Sequence, residues 1–156
     1  MQEALRVAFQ DHYLPLLRLC TLLTGRQDVA EDIVQEAFVR VGPKIGSIPT
    51  KDVGWYLRRT AVNLWKNNLR RLALERRHHR TSRDERASGT SLEERDALWR
   101  EVLRLPNRQR ACLVLRYYED LSERQVAAVL GCSIGTVKSQ TARALTRLRK
   151  EIEDED

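Results

Sequence analysis

Residues 121–148, LSERQVAAVLGCSIGTVKSQTARALTRL, predict two helices joined by a tight corner. Ser122 precedes a run of good helix formers, so its hydroxyl is placed to accept a free amide hydrogen of the first turn. Gly131 ends the first helix, because glycine readily adopts the left-handed conformation common at helix C-termini. Ser133 then caps a second helix. The apolar side of that helix comprises Ile134, Val137, Thr141, Leu145 and Leu148. This pattern predicts a helix-turn-helix unit.

The outer faces of the second helix carry hydrogen-bonding and cationic side chains, which suit the base edges and phosphates of a DNA major groove. These residues are Thr136, Lys138, Ser139, Gln140, Arg143 and Arg147. A helical hairpin with a solvated basic face is the alternative. The combination of two caps, a corner glycine and outward cations favours DNA reading.

Composition sets broad limits on the protein class. The chain has 156 residues, a net charge of +6 and a sequence pI near 9.6. That length allows one domain or two small ones. With only 7 Gly and 4 Pro, and long stretches of helical periodicity, the sequence predicts an all-α protein. The basic balance suggests a polyanionic partner.

The cysteines and the apolar runs argue against several classes of protein. Cys20, Cys112 and Cys132 lie far apart and have neither a disulfide framework nor zinc-ligand spacing, so small buried side chains in a reducing cytosol are expected. No apolar run reaches the roughly 18 residues that a membrane span needs. The start of the chain does not resemble a secretory signal. We therefore predict a cytoplasmic protein with no metal site and no membrane segment.

Three helices are predicted in the N-terminal half. An apolar stripe occupies residues 4–24 and ends at Gly25, and a second helix covers about residues 28–41. The segment GPKIGSIPTKD, Gly42–Asp52, carries two prolines and two glycines and is predicted to be a loop. A third helix begins near residue 53 and extends at least to Leu72.

Residues 75–91, ERRHHRTSRDERASGTS, contain no aliphatic residue larger than alanine. Such a segment cannot bury enough apolar surface to offset the entropy lost on ordering, so a flexible basic linker is predicted. Helical periodicity returns at Leu92. The expected architecture is two small helical domains joined by this linker. The N-terminal domain is residues 1–74, and the C-terminal domain, residues 92–156, contains the helix-turn-helix.

The second predicted helix has an acidic face, formed by Glu31, Asp32, Gln35 and Glu36, with Asp28 at the start of the helix. Acidic residues early in a helix stabilise it through the macrodipole, which accounts for Asp28 and Glu31. The macrodipole accounts less well for Glu36, and a DNA-binding protein gains little by presenting an acidic surface to DNA. A docking face for a basic protein partner is the other interpretation, and composition favours neither.

The third predicted helix, DVGWYLRRTAVNLWKNNLRRL (residues 52–72), interleaves cations, amides and aromatic rings. Cations bind a nucleic-acid backbone, rings stack on bases, and amides read base edges. Asn63 and Asn67 are mediocre helix formers one turn apart, which favours a functional role for them. Trp65 fits the core better. In the alternative interpretation both Trp55 and Trp65 are buried and the arginines are only solvated.

Four stretches together resemble the extracytoplasmic-function (ECF) group of sigma factors, the minimal two-domain members of the sigma-70 family. They are AEDIVQEAFVRV (30–41), WYLRRTAVNLWKNNLRR (55–71), LPNRQRACLVLRYYEDLS (105–122) and AAVLGCSIGTVKSQTARALTRL (127–148). They cover most of both predicted domains in the family's order and spacing, which is far more specific than a lone helix-turn-helix. The loop between the second and third helices resembles that of an actinobacterial subgroup.

The resemblance implies an RNA polymerase sigma factor, which directs core polymerase to promoters, initiates DNA melting and needs no cofactor. Asp32, Gln35 and Glu36 would dock on the clamp coiled coil of the β′ subunit. The third helix and the loop before it would melt the −10 element and capture a flipped base, with Asn63 at the base-contacting position and Asn67 a turn away. The other candidate residues of this single-strand surface are Trp55, Tyr56, Arg59, Lys66 and Arg70. The last helix would read the −35 element in the major groove through Ser133, Thr136, Lys138, Ser139, Gln140, Ala142, Arg143 and Arg147.

The resemblance also implies further partners and shows departures. The partners are promoter DNA, the β flap of polymerase and an anti-sigma factor, which holds many family members inactive; the linker would lie near the RNA exit path. Many relatives carry an arginine in place of Gln140 and a larger residue in place of Ala142. The segment before Trp55 lacks the tryptophan and the Phe-Arg-Thr run that are usual there. The departures at Gln140 and Ala142 bear on which −35 sequence the protein prefers. The departures before Trp55 bear on which melted base it prefers.

A free-standing helix-turn-helix regulator that binds an operator as a dimer is the alternative function. It leaves the acidic helix and the asparagine-aromatic helix unexplained, and the sequence shows no spare apolar helix for a dimer interface. An enzyme such as a nuclease is disfavoured, because no carboxylate cluster with metal-ligand spacing appears and the acidic residues fit helix faces.

Overall fold

A computed structural model describes residues 2–79 and 97–155. The chain divides into two compact units, Met1–Ser88 and Gly89–Asp156. The described residues form helices and turns without any strand, which confirms the prediction of an all-α protein.

Three long helices build the N-terminal unit: α1 (Gln2–Thr24), α2 (Gln27–Val41) and α3 (Val53–His79). Each helix packs against the other two. Because the buried residues recur at helical spacing, each helix turns one apolar side toward the shared core and leaves a polar side outward. The fully buried side chains include Leu19, Leu23, Val34, Val41, Leu57 and Val62. Trp65 is also buried, as predicted.

The segment between α2 and α3 is more ordered than predicted. It contains two 3-10 helices, Gly42–Ser47 and Thr50–Asp52, where the sequence predicted a loop. The prediction treated prolines only as breakers, yet a proline fits the first turn of a helix, and Pro43 occupies such a position. Ile45 anchors the segment in the core, with its side chain only 3% exposed.

α3 continues to His79 and therefore extends into the predicted flexible linker, residues 75–91. The glutamate and arginines at the start of that segment are good helix formers, and extending an existing helix is much easier than nucleating one. The remainder of the predicted linker, residues 80–91, lies outside the described residues, as does Leu92.

The C-terminal unit contains α4 (Ala97–Arg104), α5 (Asn107–Leu113), a π-helical turn (Val114–Tyr118), α6 (Glu123–Leu130) and α7 (Ile134–Glu155). α7 packs against α4, α5 and α6 and is the central helix of the unit. The fully buried side chains in this unit include Cys112, Leu115, Val126 and Val137.

A buried arginine closes the corner between α4 and α5. Arg110 donates hydrogen bonds to the carbonyl oxygen of Leu105 at 2.6 Å and to Oδ1 of Asn107 at 2.7 Å. Burial lowers the pKa of the Arg110 guanidinium to about 10, so the group stays charged at neutral pH. The oxygen acceptors compensate this buried charge and hold α5 in place as the support of α7.

Candidate nucleic-acid and protein interfaces

The corner between α6 and α7 has the geometry of a helix-turn-helix. Ser122 and Gln125 form a capping box: the Gln125 N–H donates to Ser122 Oγ at 3.1 Å, and the Ser122 N–H donates to Gln125 Oε1 at 2.9 Å. Gly131 ends α6 with a φ of 73°, in the left-handed region. Ser133 Oγ accepts the Thr136 N–H at 3.0 Å and caps α7. The two predicted caps and the corner glycine are therefore confirmed.

The buried side of α7 determines which residues face outward. Val137, Ala144 and Leu148 are buried, whereas Ile134, which was predicted on the apolar side, is 38% exposed at the first position of the helix. Among the predicted DNA-reading residues, Thr136 and Gln140 are half-buried. The exposed members are Ser133, Lys138, Ser139, Ala142, Arg143 and Arg147.

Three of the exposed DNA-reading candidates on α7 and its cap have polar partners within the protein. Besides capping α7, Ser133 Oγ lies 2.9 Å from Thr136 Oγ1. Ser139 Oγ donates to the carbonyl oxygen of Thr136 at 3.2 Å. Lys138 Nζ lies 4.0 Å from Oε1 of Glu123 on α6. Ser133 is therefore a structural cap, while the Lys138 cation remains on the surface.

One side of α3 gathers the residues that were predicted to bind single-stranded DNA. With 3.6 residues per turn, all seven fall within roughly a third of the helix circumference. The exposed members are Tyr56, Arg59, Asn63, Asn67 and Arg70, and the half-buried members are Trp55 and Lys66. The buried Leu57 and Ala61 lie on the opposite side.

The charge on this side of α3 has one sign. Residues 55–71 include cations but no aspartate or glutamate. Arg70 Nη1 donates to Oδ1 of Asn67 at 3.3 Å, which holds the amide beside a cation. The surface therefore combines rings, amides and positive charge, the set that binds a single strand.

The acidic face of α2 is exposed. Asp32, Gln35 and Glu36 all face solvent. Arg40 Nε donates to Glu36 Oε2 at 3.0 Å, an exposed pair one turn apart. Val39 lies on the same side, one turn beyond Gln35, and is 66% exposed. The sequence pattern did not indicate a role for Val39, although it is the α2 valine that falls outside the apolar stripe.

Asp28 lies in the first turn of α2, as predicted. Its carboxylate accepts hydrogen bonds from the Arg26 side chain at 3.2 and 3.0 Å and from the Val29 N–H at 2.9 Å. The Arg26 hydrogen bond, followed by that of Val29, lowers the pKa of the Asp28 carboxyl below its usual value. These contacts support the structural interpretation of Asp28.

An aromatic surface on the C-terminal unit was also missed by the sequence reasoning. Tyr117 and Tyr118, in the π-helical turn, are 58% and 40% exposed. The Trp99 ring meets Tyr118 edge-on at 5.9 Å between centroids, and the Arg116 guanidinium lies 5.5 Å from the Tyr117 ring centroid. The sequence feature that could have indicated this surface is the pair of tyrosines at the end of an apolar run.

Within residues 2–79 and 97–155, no cluster of three or more His, Cys, Asp or Glu side chains could hold a metal ion. No helix in the same ranges is long and apolar enough to cross a membrane.

Comparison with known proteins identifies the family. Residues 8–75 match the family model of sigma-70 region 2, and residues 95–148 match that of sigma-70, region 4. The RNA polymerase sigma-E factor of Streptomyces avermitilis is 36% identical over 144 residues, which cover 90% of this chain and 80% of the relative. The ECF RNA polymerase sigma factor SigM of Mycobacterium tuberculosis is 33% identical over 148 residues, covering 91% and 74% respectively.

A solved structure shares the fold. The sigma factor RpoE of Bartonella quintana, solved in complex with the anti-sigma factor NepR, matches with a TM-score of 0.74 at 21% identity, over 95% of this chain and 96% of that one. No comparison supports the dimeric regulator that the sequence left as an alternative. The chain belongs to the ECF group of sigma-70 family RNA polymerase sigma factors, the transcription initiation factors that direct polymerase to promoters.

Proposed function

We propose that three exposed helix faces divide the work of initiation at a promoter. The acidic face of α2 binds core polymerase, the cationic side of α3 captures the melted −10 element, and the outward side of α7 reads the −35 element. The observation that carries this proposal is the single arc on α3. Seven rings, amides and cations share one side of that helix, and no carboxylate interrupts them.

The side of α3 is suited to hold a flipped base. Extruding a base from the duplex costs a few kcal/mol. Stacking on an aromatic ring returns about 1–3 kcal/mol per base, and cations along the backbone supply the remainder. Tyr56 offers the exposed ring, Asn63 and Asn67 offer hydrogen bonds to base edges, and Arg59 and Arg70 offer phosphate contacts.

The face of α2 is suited to a basic protein surface, which we take to be the β′ clamp coiled coil. Asp32 and Glu36 supply negative charge, and the exposed Val39 supplies an apolar contact in the same patch. Complementary charge around a small apolar centre is a common arrangement at protein interfaces.

The outward side of α7 is suited to duplex DNA. Lys138, Arg143 and Arg147 present cations to phosphates, while Gln140 and Ala142 set the surface that meets the base edges. In a helix-turn-helix the second helix enters the major groove with its outward side toward the base edges.

The two functional domains, residues 1–74 and 92–156, would act together on one polymerase. The Tyr117–Tyr118 surface is the place we assign to the β flap, and an anti-sigma factor would cover polymerase-facing surfaces. The protein would act in the cytoplasm without a cofactor, and the chemistry of RNA synthesis would belong to the core enzyme.

Run-off transcription with bacterial core polymerase on a pool of host promoter fragments tests these roles. Asp32→Arg with Glu36→Arg reverses the docking charge and is expected to abolish the specific transcripts. Asn63→Ala removes one base-edge contact and is expected to weaken them about tenfold, since such a contact contributes about 1–3 kcal/mol.

Each variant has a matched control. Glu3→Arg with Asp11→Arg makes the same charge change at exposed positions of α1. Asn68→Ala removes an asparagine from the opposite side of α3, where it accepts from Arg71 at 2.6 Å. Transcript losses as large in the controls as in the test variants would contradict the assigned faces.

A further inference from the structure

A glycine in the first turn of α3 has a close neighbour on α1. Gly54 is the second residue of α3 and is half-buried. A Cβ atom at this position would lie 3.1 Å from Cε1 and 3.3 Å from Nδ1 of His12. Non-bonded carbon atoms are ordinarily about 3.5–4.0 Å apart. An added methyl group at position 54 would therefore fit only if the imidazole ring of His12 moved by a few tenths of an ångström.

The other DNA-contacting helix offers a comparison. Gly135 is likewise the second residue of its helix, α7. A Cβ atom there would meet the Oγ of Ser133 at 3.8 Å, an ordinary contact. Glycine is a poor helix former at either position. The contact with His12 supplies a steric reason for glycine at position 54, and among the residues that the structure describes none lies as close to position 135.

The contact lies immediately before the proposed single-strand surface. Trp55 and Tyr56 follow Gly54 directly and begin the arc of rings, amides and cations. Leu57, one turn further on, and Ala61, one turn beyond that, are buried and hold the body of α3 in the core. Val53, directly before Gly54, is also buried, so a displacement at Gly54 would be confined between Val53 and Leu57, the stretch that carries the two aromatic rings.

We propose that His12 is a positioning residue for promoter melting, which acts by packing its ring on Gly54 and thereby setting the place of Trp55 and Tyr56. The inference rests on the proposed role of α3 in binding the −10 strand. Contacts of this kind are sensitive to placement: a shift of about 1 Å can lower a rate by up to about 100-fold.

The test uses the full chain bound to core polymerase on the promoter fragment that gives the strongest run-off transcript. Permanganate reactivity of thymines in the −10 element reports melting, and competition for fluorescent core polymerase reports docking. Gly54→Ala is expected to lower thymine reactivity about tenfold, within the range that misplacement produces. Affinity for core polymerase should stay within about twofold, because the docking face lies on α2.

His12→Ala makes room for the added methyl group. Alone, this variant is expected to lower reactivity only about threefold, since it removes the support without creating a clash. The double variant should return to the level of His12→Ala. It also provides a folded background if Gly54→Ala alone fails to fold.

Thermal melting gives an independent reading of the contact. Glycine-to-alanine substitution in a helix normally raises the melting temperature. Gly135→Ala, which is measured only for stability, should raise the melting temperature. Gly54→Ala should raise it only in combination with His12→Ala. A structural role without positioning would lower the melting temperature and leave the thymine reactivity of the folded holoenzyme unchanged.

The outcomes are distinguishable. Wild-type reactivity with Gly54→Ala, or a loss that His12→Ala does not restore, would overturn the inference and leave the proposed role of α3 standing. Thymine reactivity that Asn63→Ala leaves at the wild-type level would overturn the proposed role of α3, and the inference with it.

Discussion

The two helices that we assign to DNA begin in different ways. α7 begins at a corner made by residues close to it in sequence: α6, which starts at the Ser122 capping box, ends at the left-handed Gly131, and Ser133 then caps α7. α3 begins after two 3-10 helices that have no side-chain cap, and tertiary contacts hold that segment through the buried Ile45. Local hydrogen bonds thus position one reading surface, whereas core packing positions the other.

The largest loss of stability is expected in the segment before α3, which core packing holds in place. Ile45→Ala leaves a cavity under the 3-10 segment, so the free energy of unfolding should fall by about 2–4 kcal/mol. Urea denaturation of the full chain measures the change. Ile48→Ala, at a half-buried position of the same segment, should lose clearly less. Equal losses at the two positions would show that Ile45 is not the anchor.

An intermediate effect is expected at the corner glycine. Gly131→Ala forces a residue with a Cβ into the left-handed region, which should lower the free energy of unfolding by about 1 kcal/mol. Gly46→Ala is the control, because within the described part of the chain no heavy atom beyond its sequence neighbours lies within 4 Å of the added Cβ. A loss at Gly46 as large as that at Gly131 would refute the backbone explanation.

A similar or smaller effect is expected at the cap of α6. Ser122→Ala removes the acceptor of the Gln125 N–H and should lower the free energy of unfolding by about 0.5–1 kcal/mol. Ser122→Asp retains an acceptor and should recover most of the loss. If aspartate were no better than alanine, the capping box would not contribute measurably.

The smallest effect is expected for the exposed pair between α6 and α7. Glu123→Gln removes a charge 4.0 Å from Lys138 and should change the free energy of unfolding by less than about 0.5 kcal/mol. Binding of −35 duplex DNA by the holoenzyme should strengthen slightly at low salt and be unchanged at high salt. A large change in stability would mean that the pair is structural.

The same contrast explains what could be predicted from sequence. The capping serines and Gly131 act on backbone groups within four residues, so their types and spacing sufficed to predict the corner. The 3-10 helices before α3 depend on the burial of Ile45 against other helices, which no local pattern reports. Ile134 was misplaced for a related reason, since periodicity does not report whether the first residue of a helix is covered by another element.

The residues of the candidate surfaces also fall into those that the sequence could predict and those that it could not. Charge and amide patterns led to Asp32, Glu36 and Asn63, because these types are informative wherever they are exposed. Val39 and Tyr117 were missed, because an apolar residue becomes informative only once its exposure is known.

The central claim is that each unit presents one DNA-reading surface and that polymerase brings the two into simultaneous contact with a promoter. Fluorescence anisotropy of one labelled promoter duplex, titrated with the protein alone and with the protein bound to core polymerase, tests it most directly. We predict binding at least about 100-fold tighter with polymerase, because docking both units supplies effective concentration. Tight, salt-sensitive binding of the duplex by the protein alone, unchanged by polymerase, would contradict the account.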